Sequence, residues 1–167
     1  GTGASSDASM TVLAADPGSD RIALAVAADG NEAWFAVWDG SAWTAGLTAT
    51  TSVSTISDTN RPVAVAFERD TGQLLAAWGT SGNNAVQYNT WTAGAGWGTA
   101  AAGPDIGAAP TNLAFFADPN SDDIMLGTHH AGSDVNYALW NGSSWGTPTA
   151  DLTSDTGVTY GLPLSFV

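Results

Sequence analysis

The sequence predicts an all-β fold built from three tandem units of four short strands each. Three observations carry that expectation. First, a turn bracketed by tryptophans recurs. Trp38-Asp39-Gly40-Ser41-Ala42-Trp43 returns as Trp140-Asn141-Gly142-Ser143-Ser144-Trp145, with a looser copy, Trp91-Thr92-Ala93-Gly94-Ala95-Gly96-Trp97, between them. Second, the leading tryptophans of the three copies stand 53 and 49 residues apart. Third, apolar runs of five or six residues bounded by Gly, Asp, Asn and Pro fill the intervals and read as buried strands, while no stretch carries a 3.6-residue amphipathic period.

Taken in order, residues 1–10 read as a flexible leader. The first strand of each unit is expected at residues 11–15, 63–67 and 111–117. Related segments open the second and third units, Arg61-Pro62-Val63-Ala64-Val65-Ala66-Phe67 and Ala109-Pro110-Thr111-Asn112-Leu113-Ala114-Phe115. A polar turn then delivers an aliphatic residue into the next strand. Its copies are Ala15-Asp16-Pro17-Gly18-Ser19-Asp20-Arg21-Ile22, Phe67-Glu68-Arg69-Asp70-Thr71-Gly72-Gln73-Leu74 and Ala117-Asp118-Pro119-Asn120-Ser121-Asp122-Asp123-Ile124. Second strands follow at 22–27, 74–78 and 124–128, and third strands at 33–38, 85–91 and 135–140. Asp39-Gly40 and Asn141-Gly142 tolerate the positive φ of a tight turn. The fourth strand is expected to begin near Trp43, Trp97 and Trp145, and residues 47–60, rich in Thr and Ser, read as β-prone edge or connection.

Four strands in about fifty residues is the signature of a β-propeller blade. The chain thus divides into three four-stranded blades, at 11–60, 61–108 and 109–157. Small side chains in the first and second strands (Ala14, Ala15, Ala23, Ala25, Ala64, Ala66, Ala76 and Ala77) suit strands crowded toward a central channel. The tryptophans of the outer strands are expected to pack between blades and supply much of the core. Gly161-Leu162-Pro163-Leu164-Ser165-Phe166 opens the motif again, so residues 158–167 read as the first strand of a fourth blade. Three blades fall short of the roughly four to eight that close a ring. Further blades of the same chain would complete it, or copies would self-associate, or the last strand would complement a neighbour's open edge.

The Trp-(Asp/Asn)-Gly-Ser-x-Trp turns resemble the hairpins of bacterial extracellular β-propellers of the sialidase-like and lectin-like kind. They are similar to the Asp-box hairpin, Ser-x-Asp-x-Gly-x-x-Trp, with differences: Gly40 follows Asp39 directly, Trp43 comes one residue early, and the middle copy lacks the Asp. The resemblance implies propeller architecture over residues 11–167, while as a motif it covers only the short hairpins.

Charge narrows the partners. The three basic residues are Arg21, Arg61 and Arg69, against sixteen acidic ones, for a net charge of −13. Such a surface repels phosphate backbones and anionic membranes, so neither nucleic-acid binding nor membrane insertion is expected. No apolar run approaches the ~20 residues of a membrane span. The chain has no cysteine, which excludes disulfides and thiolate metal sites. A surface rich in Thr, Ser, Asn and Gly suggests an exported protein, extracellular or at the cell surface.

Candidate chemistry is sparse. A sialidase would need clustered arginines to clamp a carboxylate, and the three present are scattered over different blades. Asp39, Glu68, Asp118 and Asp155 could serve as glycosidase carboxylates, but no pattern pairs them. His129 and His130 would point to opposite faces of a strand and read as structural. Asp118, Asn120 and Asp122 have the alternating oxygen spacing of a calcium loop, so calcium is the one cofactor suggested; the competing reading is an ordinary Asp-Pro turn. The Thr- and Ser-rich stretch 48–55 and the Asn141-Gly142-Ser143 sequon are permissive glycosylation patterns. Ligand contact, where it occurs, is expected at Trp38, Asp39, Trp43, Trp91, Trp97, Trp140, Asn141 and Trp145.

The sequence therefore points to a non-enzymatic module for binding or assembly, with a glycan or a cell-surface protein as partner. The alternatives are a structural subunit of a surface layer, appendage or filament, and, less favoured, a fragment of a glycoside hydrolase.

Overall fold

In the computed structural model, residues 7–49, 52–54, 60–130 and 134–153 are described. They form three antiparallel sheets in chain order. The first contains β1 (Ala8–Ala15), β2 (Ile22–Ala28), β3 (Glu32–Trp38) and β4 (Leu47–Ala49), paired in that order. The second contains β5 (Val63–Phe67), β6 (Leu74–Trp78), β7 (Ala85–Thr92), β8 (Gly96–Trp97) and β9 (Ala101–Asp105), with both β8 and β9 on β7. The third contains β10 (Pro110–Ala117), β11 (Ile124–His130), β12 (Val135–Trp140) and β13 (Thr149–Thr153). These sheets are the three blades read from the sequence, except that the second has five strands rather than four, because β8 and β9 share the edge of β7; the segment expected to open a fourth blade lies outside the described residues. No helix long and apolar enough to cross a membrane occurs among the described residues.

Register decides which side chains meet. In antiparallel pairing, residues directly opposite share a face. Val12 pairs with Ala25, and Ala25 with Phe35, so all three point toward blade 2. Leu13, Leu24 and Ala36 are paired one step along and point to the opposite face. Blade 2 answers the first face with Val63, Val65, Phe67, Leu74, Ala76, Trp78 and Trp91. Its other face meets blade 3 through Ala64, Ala77 and Val86 against Leu113 and Leu126, and through Ala66 and Leu75 against Ile124 and Trp140. Sealing β5 and β6 on both faces explains their unbroken apolar sequences. A side chain such as Phe35 or Leu74, fully buried here, contributes about 1.5–3 kcal/mol.

Two boundaries differ from the sequence expectation. Residues 8–10 belong to β1 rather than to a leader, because Met10 packs on the first core and Ser9 bonds the Asp29 carboxylate. In blades 1 and 3 the second tryptophan of the turn makes only a single bridge, Trp38 to Trp43 and Trp140 to Trp145. The fourth strand then resumes at Leu47 and Thr149. Gly46 lies against the Trp34 indole, and Pro148 has no N–H to donate to a ladder.

The first strands of the blades are stitched near the common axis. Arg61 donates its N–H to the Thr111 carbonyl and accepts from the Leu113 N–H, each at 2.9 Å. Residues 52–54 cross from blade 1, where the Val53 N–H bonds the Asn31 carbonyl and the Ser54 N–H bonds the Gly79 carbonyl. The buried Ser54 hydroxyl reaches the Pro110 carbonyl of blade 3 at 2.6 Å.

Candidate functional site

Three kinds of surface are built by this arrangement: the clefts between blades, the polar turns at their ends, and a groove along the axis. Each cleft is lined by a tryptophan pair from the following blade. Between blades 1 and 2, Trp91 is 4% exposed and Trp97 half-buried. Trp97 packs on Phe35 at 6.3 Å between ring centres and donates its indole N–H to the Ala45 carbonyl at 3.1 Å. Between blades 2 and 3, Trp140 is 3% exposed. Trp145 stands edge-on to Tyr88 and Trp140 and stacks on Phe115. Its buried indole nitrogen has no hydrogen-bond partner and lies beside Gly103. The homologous pair in blade 1, Trp38 and Trp43, is edge-on at 5.8 Å, and Trp43 is 49% exposed.

Charged groups enter two of these interfaces. Arg21 forms an ion pair with Asp16 at 2.6 Å, and its guanidinium lies over the rings of Phe67 and Trp91 at 5.9 and 5.7 Å. Burial alone would raise the Asp16 carboxyl, but bonds from Ser19, the Gly18 N–H and Arg21 outweigh it and hold the group below its ordinary value. Glu68 is 1% exposed and accepts from the Trp140 indole at 2.7 Å and from the Thr71 hydroxyl. Burial pushes its carboxyl up, the Asp122 charge adds to that, and the two hydrogen bonds oppose it.

The turns consume their own polar groups. Asp39 Oδ1 accepts from the Ser41 N–H, the Ser41 hydroxyl and the Ala42 N–H, each at 2.8 Å. The Ala42 amide first, then Ser41, depress its carboxyl. Asn141 Oδ1 accepts the same set from Ser143 and Ser144. Gly40 and Gly142 supply the required positive φ, +100° and +85°. Asp118 accepts from the Asn120 N–H and the Ser121 hydroxyl, which lower its carboxyl in that order. Asp122 Oδ1 faces blade 2 and accepts from the Asp70 and Thr71 amides at 2.6 and 3.2 Å. Asp118, Asn120 and Asp122 are thus engaged within an Asx-type turn and an inter-blade contact. No group of three or more metal-binding His, Cys, Asp or Glu occurs among the described residues.

His129 and His130 follow one another in β11. Burial, then the neighbouring His130, lowers the His129 pKa, and His130 approaches Asp134 at 3.6 Å. Of the candidate glycosidase carboxylates, Asp39 and Asp118 sit on exposed turns of different blades, Glu68 is sealed in an interface, and Asp155 lies outside the described residues.

The axial groove has a volume of about 510 Å³ and is lined by the three first strands, including Met10, Leu13, Arg61, Asn112 and Phe116. Sequence reasoning singled out none of these as a site. Inner-strand residues are small and apolar for packing reasons, and nothing in their order marks a groove. The inter-blade contacts of Arg21 and of Glu68, the latter read from the sequence only as a candidate glycosidase carboxylate, were missed in the same way, since their partners across the interface stand far off in sequence.

No protein-family model matches the chain. No curated protein matches it either. Solved structures do. The SapL1 lectin in complex with alpha methyl fucoside is 22% identical, with a TM-score of 0.53, over 82% of this chain and 45% of that one. The Aleuria aurantia lectin, a six-bladed β-propeller with a novel fucose recognition mode, is 18% identical, with a TM-score of 0.55, over 87% and 46%. A mutant of AofleA from Arthrobotrys oligospora is 12% identical, with a TM-score of 0.54, over 83% and 41%. At these identities the likeness defines the fold, and the fold is that of a β-propeller, here in three blades. The chain spans less than half the length of each of these proteins.

Proposed function

We propose that this chain is a non-enzymatic carbohydrate-binding propeller module acting outside the cell or at its surface, with fucosides as the first ligand class to test. The observation that carries the reading is the tryptophan pair repeated beside the end turn of each blade, on a fold shared with fucose lectins. Trp43 is exposed, and Trp38, Trp97 and Trp145 are half-buried. They offer ring faces and edges beside turns bearing Asp39 and Asn141, the apolar platform with polar neighbours that orients a small ligand. Trp91 and Trp140 support the cleft floor, because their burial leaves no ring face for a sugar. Calcium is not required by this reading, since the Asp118 and Asp122 carboxylates already have donors. Catalysis is disfavoured because the candidate carboxylates among the described residues, Asp39, Asp118 and Glu68, are split between separate turns and a sealed interface. A glycan panel read out by tryptophan fluorescence tests the proposal. Saturable binding of fucosylated glycans without release of sugar is expected; absence of binding across the panel at millimolar methyl fucoside would overturn it.

A further inference from the structure

The repeat supplies an internal control for every surface, because each position can be compared with its equivalents in the other blades. On the face of blade 1 turned away from blade 2, that comparison is one-sided. Leu13 is 65% exposed, whereas its counterpart Val65 is 5% exposed. Ile22 is 39% exposed, whereas Leu74 and Ile124 are wholly buried. Leu24 and Val26 are half-buried where Ala76, Leu126, Trp78 and Thr128 are buried. Trp38 is half-buried where Trp91 and Trp140 are 4% and 3% exposed. In blades 2 and 3 this face is covered by the preceding blade. Blade 1 carries the same apolar chemistry with no blade on it among the described residues.

The opposite end carries the matching face. Leu139 of blade 3 is 40% exposed, whereas its counterpart Val37 is wholly buried against blade 2. Met125 is half-buried where Leu75 and Ala23 are wholly buried. Blade 3 therefore ends in the kind of surface that blade 1 needs, and blade 1 begins with the kind that blade 3 needs. Among the described residues the two faces do not meet, since three blades fall short of a closed ring. Large apolar side chains clustered on an open face mark an interaction site.

We propose that the blade 3 face of one chain seats on the blade 1 face of a second copy, and the reverse, so that two chains close one six-bladed ring. Six is the blade number of the Aleuria aurantia lectin, of which the chain matches 46%. A two-fold axis makes both seams identical and leaves no seam open. Trp43 then becomes a cleft residue like Trp97 and Trp145, and the axial groove becomes a channel. This assembly stands or falls independently of the glycan reading. Both chains carry a charge of −13, so association strengthens as salt screens their repulsion.

Sedimentation velocity and light scattering over a concentration series, at low salt and at about 0.5 M salt, test it. A mass twice the 16.9 kDa of one chain is expected. Leu13→Glu and Leu139→Glu, both at exposed positions, should each weaken association at least about tenfold by placing a charge in the seam. Folding of each variant is checked by near-ultraviolet circular dichroism. Should a variant fail to fold, radical footprinting of the unmodified chain gives the same reading, with labelling of Leu13 and Trp43 falling as concentration rises. A monomer at every concentration and salt, a stoichiometry other than two, or a dimer indifferent to both substitutions with Leu13 still labelled would overturn the proposal.

Discussion

Trp140 of blade 3 donates its indole N–H to the Glu68 carboxylate of blade 2 across 2.7 Å, in an interface where neither residue is more than 3% exposed. Removing the donor leaves the carboxylate desolvated and short of a partner. Trp140→Phe is therefore expected to lower stability by about 1–3 kcal/mol beyond its loss of packing. Glu68→Gln keeps an acceptor for the indole and removes the buried charge, so it should be near neutral or stabilising at pH 7. Urea midpoints at constant m-value measure both effects.

The same carboxyl sets a pH dependence. Its folded pKa is raised, above an ordinary value near 4.5, so the folded state holds the proton more tightly than the unfolded one. Glu68 therefore costs no stability below the unfolded value and makes the protein progressively less stable as pH rises from there through the folded pKa. The stability of Glu68→Gln relative to the unmodified chain should accordingly increase as pH rises from 4 through the folded pKa and level off above it. A difference that stays flat over that range would show that Glu68 titrates normally in the interface.

How much of this could be read in the sequence depends on whether the cause was local. Val63–Phe67 and Leu74–Trp78 are visible as strands because both faces are sealed and every residue is apolar. The start of β1 is hidden because Ala8 and Ser9 are exposed and carry no apolar run. The turns at Asp39 and Asn141 are legible because their hydrogen bonds span two or three residues. The Glu68–Trp140 bond spans 72 residues and has no local signature. The tryptophan periodicity revealed the clefts, but not which rings would be buried in them; that depends on whether a preceding blade covers the face.

Asp16 behaves oppositely to Glu68. Its folded pKa is lowered from an ordinary value of 3.8, so its contribution is fully present above that value and is lost as pH falls through the folded pKa. Asp16→Asn should cost about 1–3 kcal/mol at pH 7, because the largely buried Arg21 side chain loses a charged partner that is itself buried. The deficit should shrink as pH falls through the folded pKa, which lies below 3.8, as the native carboxyl takes up its proton. Parallel urea titrations at pH 7 and pH 2.5 on the two proteins give the comparison.

Gly79 is where three blades touch. Its N–H donates to the Pro62 carbonyl, its carbonyl accepts from the Ser54 N–H, and a methyl added to it would stand 2.5 Å from the Pro110 carbonyl oxygen. The obstacle is backbone already held by the Ser54 hydroxyl, so it cannot rotate aside as a side chain would. Gly79→Ala should therefore destabilise by about 1–3 kcal/mol through overpacking. Gly18 is the contrasting case: it is exposed, and a methyl there meets only the Asp16 carboxylate at an ordinary 3.6 Å. Gly18→Ala should be neutral or stabilise slightly by restricting the unfolded chain. Equal thermal midpoints for the two variants would mean that the blades part at Gly79 without cost, and that the axial stitching does not hold them in register.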